Sequence, residues 1–288
     1  MFISPMLLKS AIGPYSHSDY IFEPKIDGHR LIFSQQSGGT IRLYTRHNNE
    51  CTQQYPELQI PFAEDVILDG EVACVDPATG VSDFESVMSR FQARKEGKIQ
   101  QLTATLPAYY AIFDILQYKG QDLRGLPLMR RKEILAGLNL PSRSFGIVPH
   151  VEGAGEALFE QIKARGMEGV IGKRMNSLYE TGRRSAVWQK VINWTYADIY
   201  ISGYRKKEFG LLASVPSGTP GRLRPAGIIE LGASPVHKSA FKGVASQLVN
   251  GEDKEFVYME PRLRARVRMR NWTKSGMLRS PVFTEFII

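Results

Sequence analysis

The sequence has little cysteine: Cys51 and Cys74 are the only two, in no CxxC or other metal-ligand spacing. That excludes a disulfide framework and a cysteine-bound zinc site, and both thiols are expected to be reduced and half-buried. Five scattered histidines form no metal-binding cluster and no Cys/His dyad. No run approaches the roughly 18 apolar residues of a membrane span, and residues 1–9 lack the basic start of a secretion signal. A cytoplasmic location is therefore expected, with no membrane partner. Internal repeats and low-complexity stretches are absent, and a chain of 43% hydrophobic and 23% charged residues carries no disorder signature.

The formal charge of +8 is unevenly spread. Residues 1–197 hold 22 Lys and Arg against 21 Asp and Glu, whereas residues 198–288 hold 15 against 8. A nearly neutral body with a basic last third points to a partner made of phosphates, a basic solubility face being the competing reading.

One stretch organises the rest: Phe22-Glu23-Pro24-Lys25-Ile26-Asp27-Gly28-His29-Arg30. Pro24 fixes its own φ and keeps Glu23 extended, and Asp27-Gly28 turns the chain. With strands expected on either side, Lys25 and Arg30 sit at the rim where the two strands meet, as a nucleophile and its neighbour or as a solvated surface hairpin. Downstream, 40–46 alternates as a strand ending at Arg46. Val66-Ile67-Leu68-Asp69-Gly70-Glu71-Val72-Ala73-Cys74 reads either as a tight hairpin or as one strand aiming Glu71 into a pocket, Gly70 then admitting a ligand. Ser82-Asp83 caps a helix with Phe84, Val87, Met88 and Phe91 on its buried face, and the aromatic run 108–116 reads as a buried strand holding Phe113. Helices are expected from Pro127 to Leu138 and from Glu156 to Arg165, the second stopped by Gly166 and followed by a short strand with Glu168 and Lys173. Past Ala197 the pattern changes to short strands between Gly/Pro turns, at 199–202, 211–215 and 227–231. A helix near 237–248 and two closing strands follow, together suggesting a small barrel. Within it Arg262, Arg264, Arg266, Arg268 and Arg270 alternate with apolar residues, which puts five guanidinium groups on one strand face. A phosphate-backbone track is the favoured reading, an edge guard the other.

Together these pieces resemble the covalent nucleotidyltransferases, most closely the small two-domain ATP-dependent DNA ligases. Lys25-Ile26-Asp27-Gly28-His29-Arg30 matches the family's KxDGxR motif, and Leu43-Tyr44-Thr45-Arg46 its arginine-bearing element. Leu68-Asp69-Gly70-Glu71 matches DGE, 110–115 the aromatic-FDI motif, 168–173 EGxxxK, and Trp188-Gln189-Lys190 the start of WxKxK. The resemblance implies an α+β chain: a nucleotidyltransferase (ATP-grasp-like) antiparallel-sheet domain over 1–197, followed by a C-terminal OB-fold β-barrel over 198–288. It implies a monomer that takes ATP as co-substrate, forms AMP on Lys25, uses Mg²⁺ or Mn²⁺, and seals nicked duplex DNA. Glu71 and Glu168 would hold the metal. Glu23, Ile26, Arg30, Arg46, Glu71, Phe113, Lys173 and Lys190 would surround the nucleotide, with Phe113 stacked on adenine and Glu23 reading its amino group. Arg30 and Arg46 would hold the 5′-phosphate, and Arg262, Arg264, Arg266, Arg268 and Arg270 the duplex.

The amine must lose its proton before it attacks, since free lysine is charged at neutral pH, and Arg30, Lys173, Lys190 and the metal would supply the favouring field. Two departures stand out: Ile192 replaces the second lysine of WxKxK, and the sequence ends at 284–288 where the family continues into an RxDK motif. Nick sealing is accordingly expected to be more efficient than charging by ATP. An RNA ligase or GTP-dependent capping-type enzyme remains the alternative, and a non-catalytic nucleic-acid clamp a further one.

Overall fold

The computed structural model describes residues 1–36, 39–76 and 78–287. The chain divides into two compact units, Met1–Asn193 and Trp194–Ile288. The division falls four residues before the expected 197/198 boundary, because the strand Thr195–Arg205 runs unbroken through that position.

The first unit is built on two sheets. One orders the strands Leu7–Ser10, Arg184–Ile192, Gly169–Arg174, Tyr20–Pro24 and Val151–Glu152. The other orders Thr40–Thr45, His29–Gln36, Val66–Cys74, Ala108–Tyr118 and Gln121–Asp122, with Phe145–Ile147 alongside Ala108–Tyr118. Most pairings are antiparallel; Leu7–Ser10 on Arg184–Ile192 and Phe145–Ile147 on Ala108–Tyr118 are parallel. Strand alternation sorts the side chains: Leu31 and Phe33 join a core with the helix Phe84–Gln92, whereas Ile32 joins a second core fed from both sheets, with Ile21, Ile67, Phe113 and Trp188.

The two strands flanking Lys25 do not form the expected hairpin. Tyr20–Pro24 pairs with Gly169–Arg174, and His29–Gln36 pairs with Val66–Cys74, so residues 25–28 carry the chain from one sheet to the other. The crossing is pinned by Lys25 N–H donating to Gly169 O at 2.8 Å and Asp27 N–H donating to Ser82 Oγ at 3.1 Å. A Cβ at Gly28 would lie 2.0 Å from the Val72 carbonyl oxygen, so only glycine lets the chain pass there. Val66–Cys74 is one continuous strand and not a hairpin. Gly70 admits no ligand but the ring of Tyr110, 2.5 Å from where its Cβ would be.

The helix ends expected from sequence form: of Ser82-Asp83, Asp83 is the N-cap and accepts from Glu85 N–H, and Gly166 takes the left-handed conformation past the C-terminus of the helix Gly155–Ala164. Leu128–Ala136 follows Pro127. A helix at Glu96–Thr105 had no sequence signal, since it lacks a capping side chain and buries only Ile99 and Leu102. Both cysteines are fully buried thiols, not half-buried ones.

The second unit is a seven-stranded sheet around Thr195–Arg205, which pairs with Leu211–Pro216 on one side and with Phe256–Met259 and Arg264–Met269 on the other. Leu223–Ile229, Val249–Glu252 and Val282–Ile287 complete it. A bridge from Leu231 to Val282 joins the two ends, so the sheet curls on itself as an OB-fold does. Four strands follow the helix Pro235–Ala245, two more than expected.

Asp114, within the FDI run, is fully buried and held by Arg131, also fully buried, through bonds of 2.8 and 2.9 Å. Arg131 Nη1 also donates to the carbonyls of Leu126 and Ser177. Arg131→Ala leaves a buried carboxylate without its partner and is expected to destabilise the unit by about 3–5 kcal/mol in urea unfolding. A loss below about 1 kcal/mol would mean that water takes over the role of Arg131.

Candidate active site

The sheet crossing delivers Lys25 to Glu168. Lys25 Nζ lies 2.6 Å from Glu168 Oε2, with the lysine side chain 16% exposed and the glutamate nearly buried. The contact follows from register: Pro24 is opposite Val170, so residues 25 and 168–169 leave their strands side by side. Glu71 lies within electrostatic reach of Lys25, Arg30, Glu168 and Asp69. One amine and two carboxylates expected from sequence are thus brought together.

Three further cations here, Arg30, Lys132 and Lys173, are also held by carboxylates. Arg30 binds Asp69 with a two-point fork, Nε to Oδ1 at 2.7 Å and Nη2 to Oδ2 at 2.5 Å, and Tyr179 Oη donates to Asp69 Oδ2 at 2.6 Å. Burial works against the Arg30 charge, but Asp69 more than offsets it and holds the guanidinium firmly protonated. Glu23 is buried between two lysines, Lys173 at 2.7 Å on Oε2 and Lys132 on Oε1. Burial alone would raise its pKa; the two ammonium groups reverse that and hold it below the usual value. Burial draws Lys173 down to about 8, with Glu23 opposing and Lys132 assisting.

Phe113 anchors this cluster. Lys173 Nζ lies 4.3 Å and Arg30 Cζ 4.8 Å from its ring centroid, and Trp188 meets it edge-on. Ile26 packs on the core between the sheets. Lys190 is half-buried opposite Ile171, and Ile192 stands opposite Gly169, whose carbonyl accepts from Lys25 N–H. Arg46 is exposed in the turn after Thr40–Thr45, its guanidinium beside His47. It makes no ion pair with the Lys25 cluster among the described residues. In the second unit, Arg264, Arg266 and Arg268 lie on one face of Arg264–Met269, with Arg262 before the strand and Arg270 after it.

Lys132 and Tyr179 escaped the sequence reading, while Asp69 and Ser82 were read only as part of the DGE motif and of a helix cap. Asp69 had a signal, a charged residue inside an apolar run. Lys132 had none, since its helix reads as polar on that side.

The family model described as ATP dependent DNA ligase domain matches residues 5–191. The chain belongs to the ATP-dependent DNA ligase family. It is 39% identical over 287 residues to the SPbeta prophage-derived DNA ligase-like protein LigB of Bacillus subtilis, covering 99% of both. It is 30% identical to the multifunctional non-homologous end joining DNA repair protein LigD of Mycobacterium tuberculosis, covering 96% of this chain but 37% of that protein. Among solved structures, mycobacterial DNA ligase D complexed with ATP and MES is 28% identical, with a TM-score of 0.58 and coverage of 99% and 95%. A Lig E DNA ligase structure, 18% identical at a TM-score of 0.69 and covering all of both chains, shares the fold. The enzyme is an ATP-dependent DNA ligase, and a covalent adenylate is the general mechanism of its family.

In this ligase, burial raises the Glu71 carboxyl to about 7; Lys25 and Arg30 oppose the rise and Glu168 and Asp69 add to it. The folded value lies above the reference value of 4.5, so the folded chain holds an extra proton between the two. Stability therefore falls as pH rises from about 4.5 to 7. Glu71→Gln, neutral at every pH, is expected to stabilise the protein by about 2 kcal/mol at pH 8 and by little at pH 5, measured by urea unfolding. Equal effects at both pH values would remove Glu71 from the strained cluster.

Proposed function

We propose that this ligase seals nicks in duplex DNA through AMP carried on Lys25. The observation that carries this reading is the Lys25 amine set 2.6 Å from Glu168 where the chain crosses from one sheet to the other. Lys25 Nζ attacks the α-phosphorus of ATP, a P–N bond forms, and pyrophosphate leaves as the P–O bond breaks. Glu168 Oε2 is placed to accept the amine proton. The AMP then passes to the 5′-phosphate of the nick, and the adjacent 3′-hydroxyl displaces it, forming the phosphodiester and releasing AMP.

Lys173 and Arg30, already gathered at Phe113, are the nearest cations for phosphate oxygens, with Lys190 beyond them on its strand. Glu23 and Phe113 border the nucleotide pocket with Ile26, the Phe113 ring meeting adenine where Lys173 and Arg30 now lie. Arg46 and Arg30 meet the 5′-phosphate.

Glu71 and Glu168 suit Mg²⁺ or Mn²⁺: hard oxygen donors, one of them held partly protonated by burial and by other carboxylates, a strain that a divalent cation relieves. Such an ion supplies positive charge at the transferring phosphate. The kinship with end-joining repair proteins extends the proposal to DNA repair, by a monomer in the cytoplasm.

Offering labelled ATP or GTP with Mg²⁺ tests the reading. Covalent label from ATP, chased into nicked DNA, is expected, and label from GTP alone would sink it. Lys25→Ala is expected to abolish labelling while still sealing a nick that is already adenylated.

A further inference from the structure

The basic face of the second unit is not the plain phosphate track that its alternating arginines suggest. Thr195–Arg205 lies antiparallel to Arg264–Met269 with Tyr196 opposite Arg268, Asp198 opposite Arg266 and Tyr200 opposite Arg264. Ala197, Ile199, Ala265, Val267 and Met269 turn to the core, so the aromatic and basic residues share the outer face. Trp194, two residues before Tyr196, has Arg268 Cζ 4.8 Å and Arg270 Cζ 5.2 Å from its ring centroid, and Arg264 lies 5.6 Å from that of Tyr200.

The charge at the centre of this face is largely spent. Asp198 holds Arg266 at 2.8 and 3.2 Å and lies 3.8 Å from Arg264; Glu285 is 3.7 Å from Arg266, and Glu260 takes Arg262 at 2.7 Å. A row of phosphates running over Arg266 would meet Asp198. What the face offers instead is flat surface: Tyr196, 59% exposed beside a shallow depression of about 470 Å³ with Asp198 and Arg266, flanked by ring–guanidinium pairs at Trp194 and Tyr200.

We propose that this face binds unpaired nucleotides, the single-stranded stretch of a gap, flap or overhang beside the junction to be sealed. Bases stack on aromatic rings and on guanidinium planes alike, whatever their sequence. The spacing favours a stretched strand. Alternate residues of a β-strand stand about 6.7 Å apart, twice the roughly 3.4 Å between stacked bases of a duplex, so rings two residues apart, as Trp194 and Tyr196 are, take successive bases only when the bases are splayed, and Tyr200 lies two such steps further on, beyond Asp198. Asp198 fixes two arginines in place and turns phosphates away from the centre. The biological meaning rests on the ligase reading; the binding itself does not.

Fluorescence anisotropy with the full chain tests this, using a short labelled oligothymidylate and a labelled nicked duplex at one salt concentration. Tyr196→Ala is expected to weaken oligothymidylate binding at least fivefold, the low end for one lost stacking contact, and nicked-duplex binding less than twofold. Tyr196→Phe keeps the affinity for both. Equal loss on both probes, or no loss on oligothymidylate, overturns the proposal. Labelling of the same variants by ATP, which involves no DNA, shows separately whether they fold and whether the ligase reading holds.

Discussion

The site depends on one crossing of the chain. Tyr20–Pro24 ends bonded to Gly169–Arg174, and after residues 25–28 the chain starts a strand of the other sheet. Pro24 has no N–H to continue the ladder, the Lys25 N–H is taken by Gly169 O, and Gly28 slips past the Val72 carbonyl where any side chain would collide. These local constraints leave Lys25 only a narrow range of positions. Glu168 is reached because the same ladder that ends at Pro24 begins at Gly169.

The cations around that lysine are stored against carboxylates: Lys25 with Glu168, Arg30 with Asp69, and Lys132 and Lys173 with Glu23. A buried cluster of unmatched positive charges would be strongly destabilising without nucleotide, whereas matched pairs hold the side chains in place and near neutrality. On the proposed reaction, a triphosphate entering the site exchanges one set of anionic partners for another. The two cations at Phe113, Lys173 and Arg30, come from strands other than the one that carries Ile192.

Much of this was legible in the sequence. Lys25, Glu71, Glu168 and Lys173 declared themselves through charged residues set among glycines and apolar runs, and Asp83 and Gly166 marked helix ends by local rules. The sheet assignment was not legible, because two strands four residues apart look like a hairpin whether or not they pair with each other. Lys132 was hidden for the same reason: its partner Glu23 lies 109 positions away, and nothing local distinguishes it from a solvated helix lysine. Of the five alternating arginines, Arg264, Arg266 and Arg268 share one strand face as read, with Arg262 and Arg270 outside the strand, yet Asp198, Tyr196 and Trp194 change what that face offers, and only strand register brings them to it.

Peptide mapping by mass spectrometry after incubation with ATP and Mg²⁺ tests the central claim most directly. One adenylyl group on Lys25, with Lys132, Lys173 and Lys190 unmodified, is the expected result. An adduct on any of those three with Lys25 untouched would contradict it.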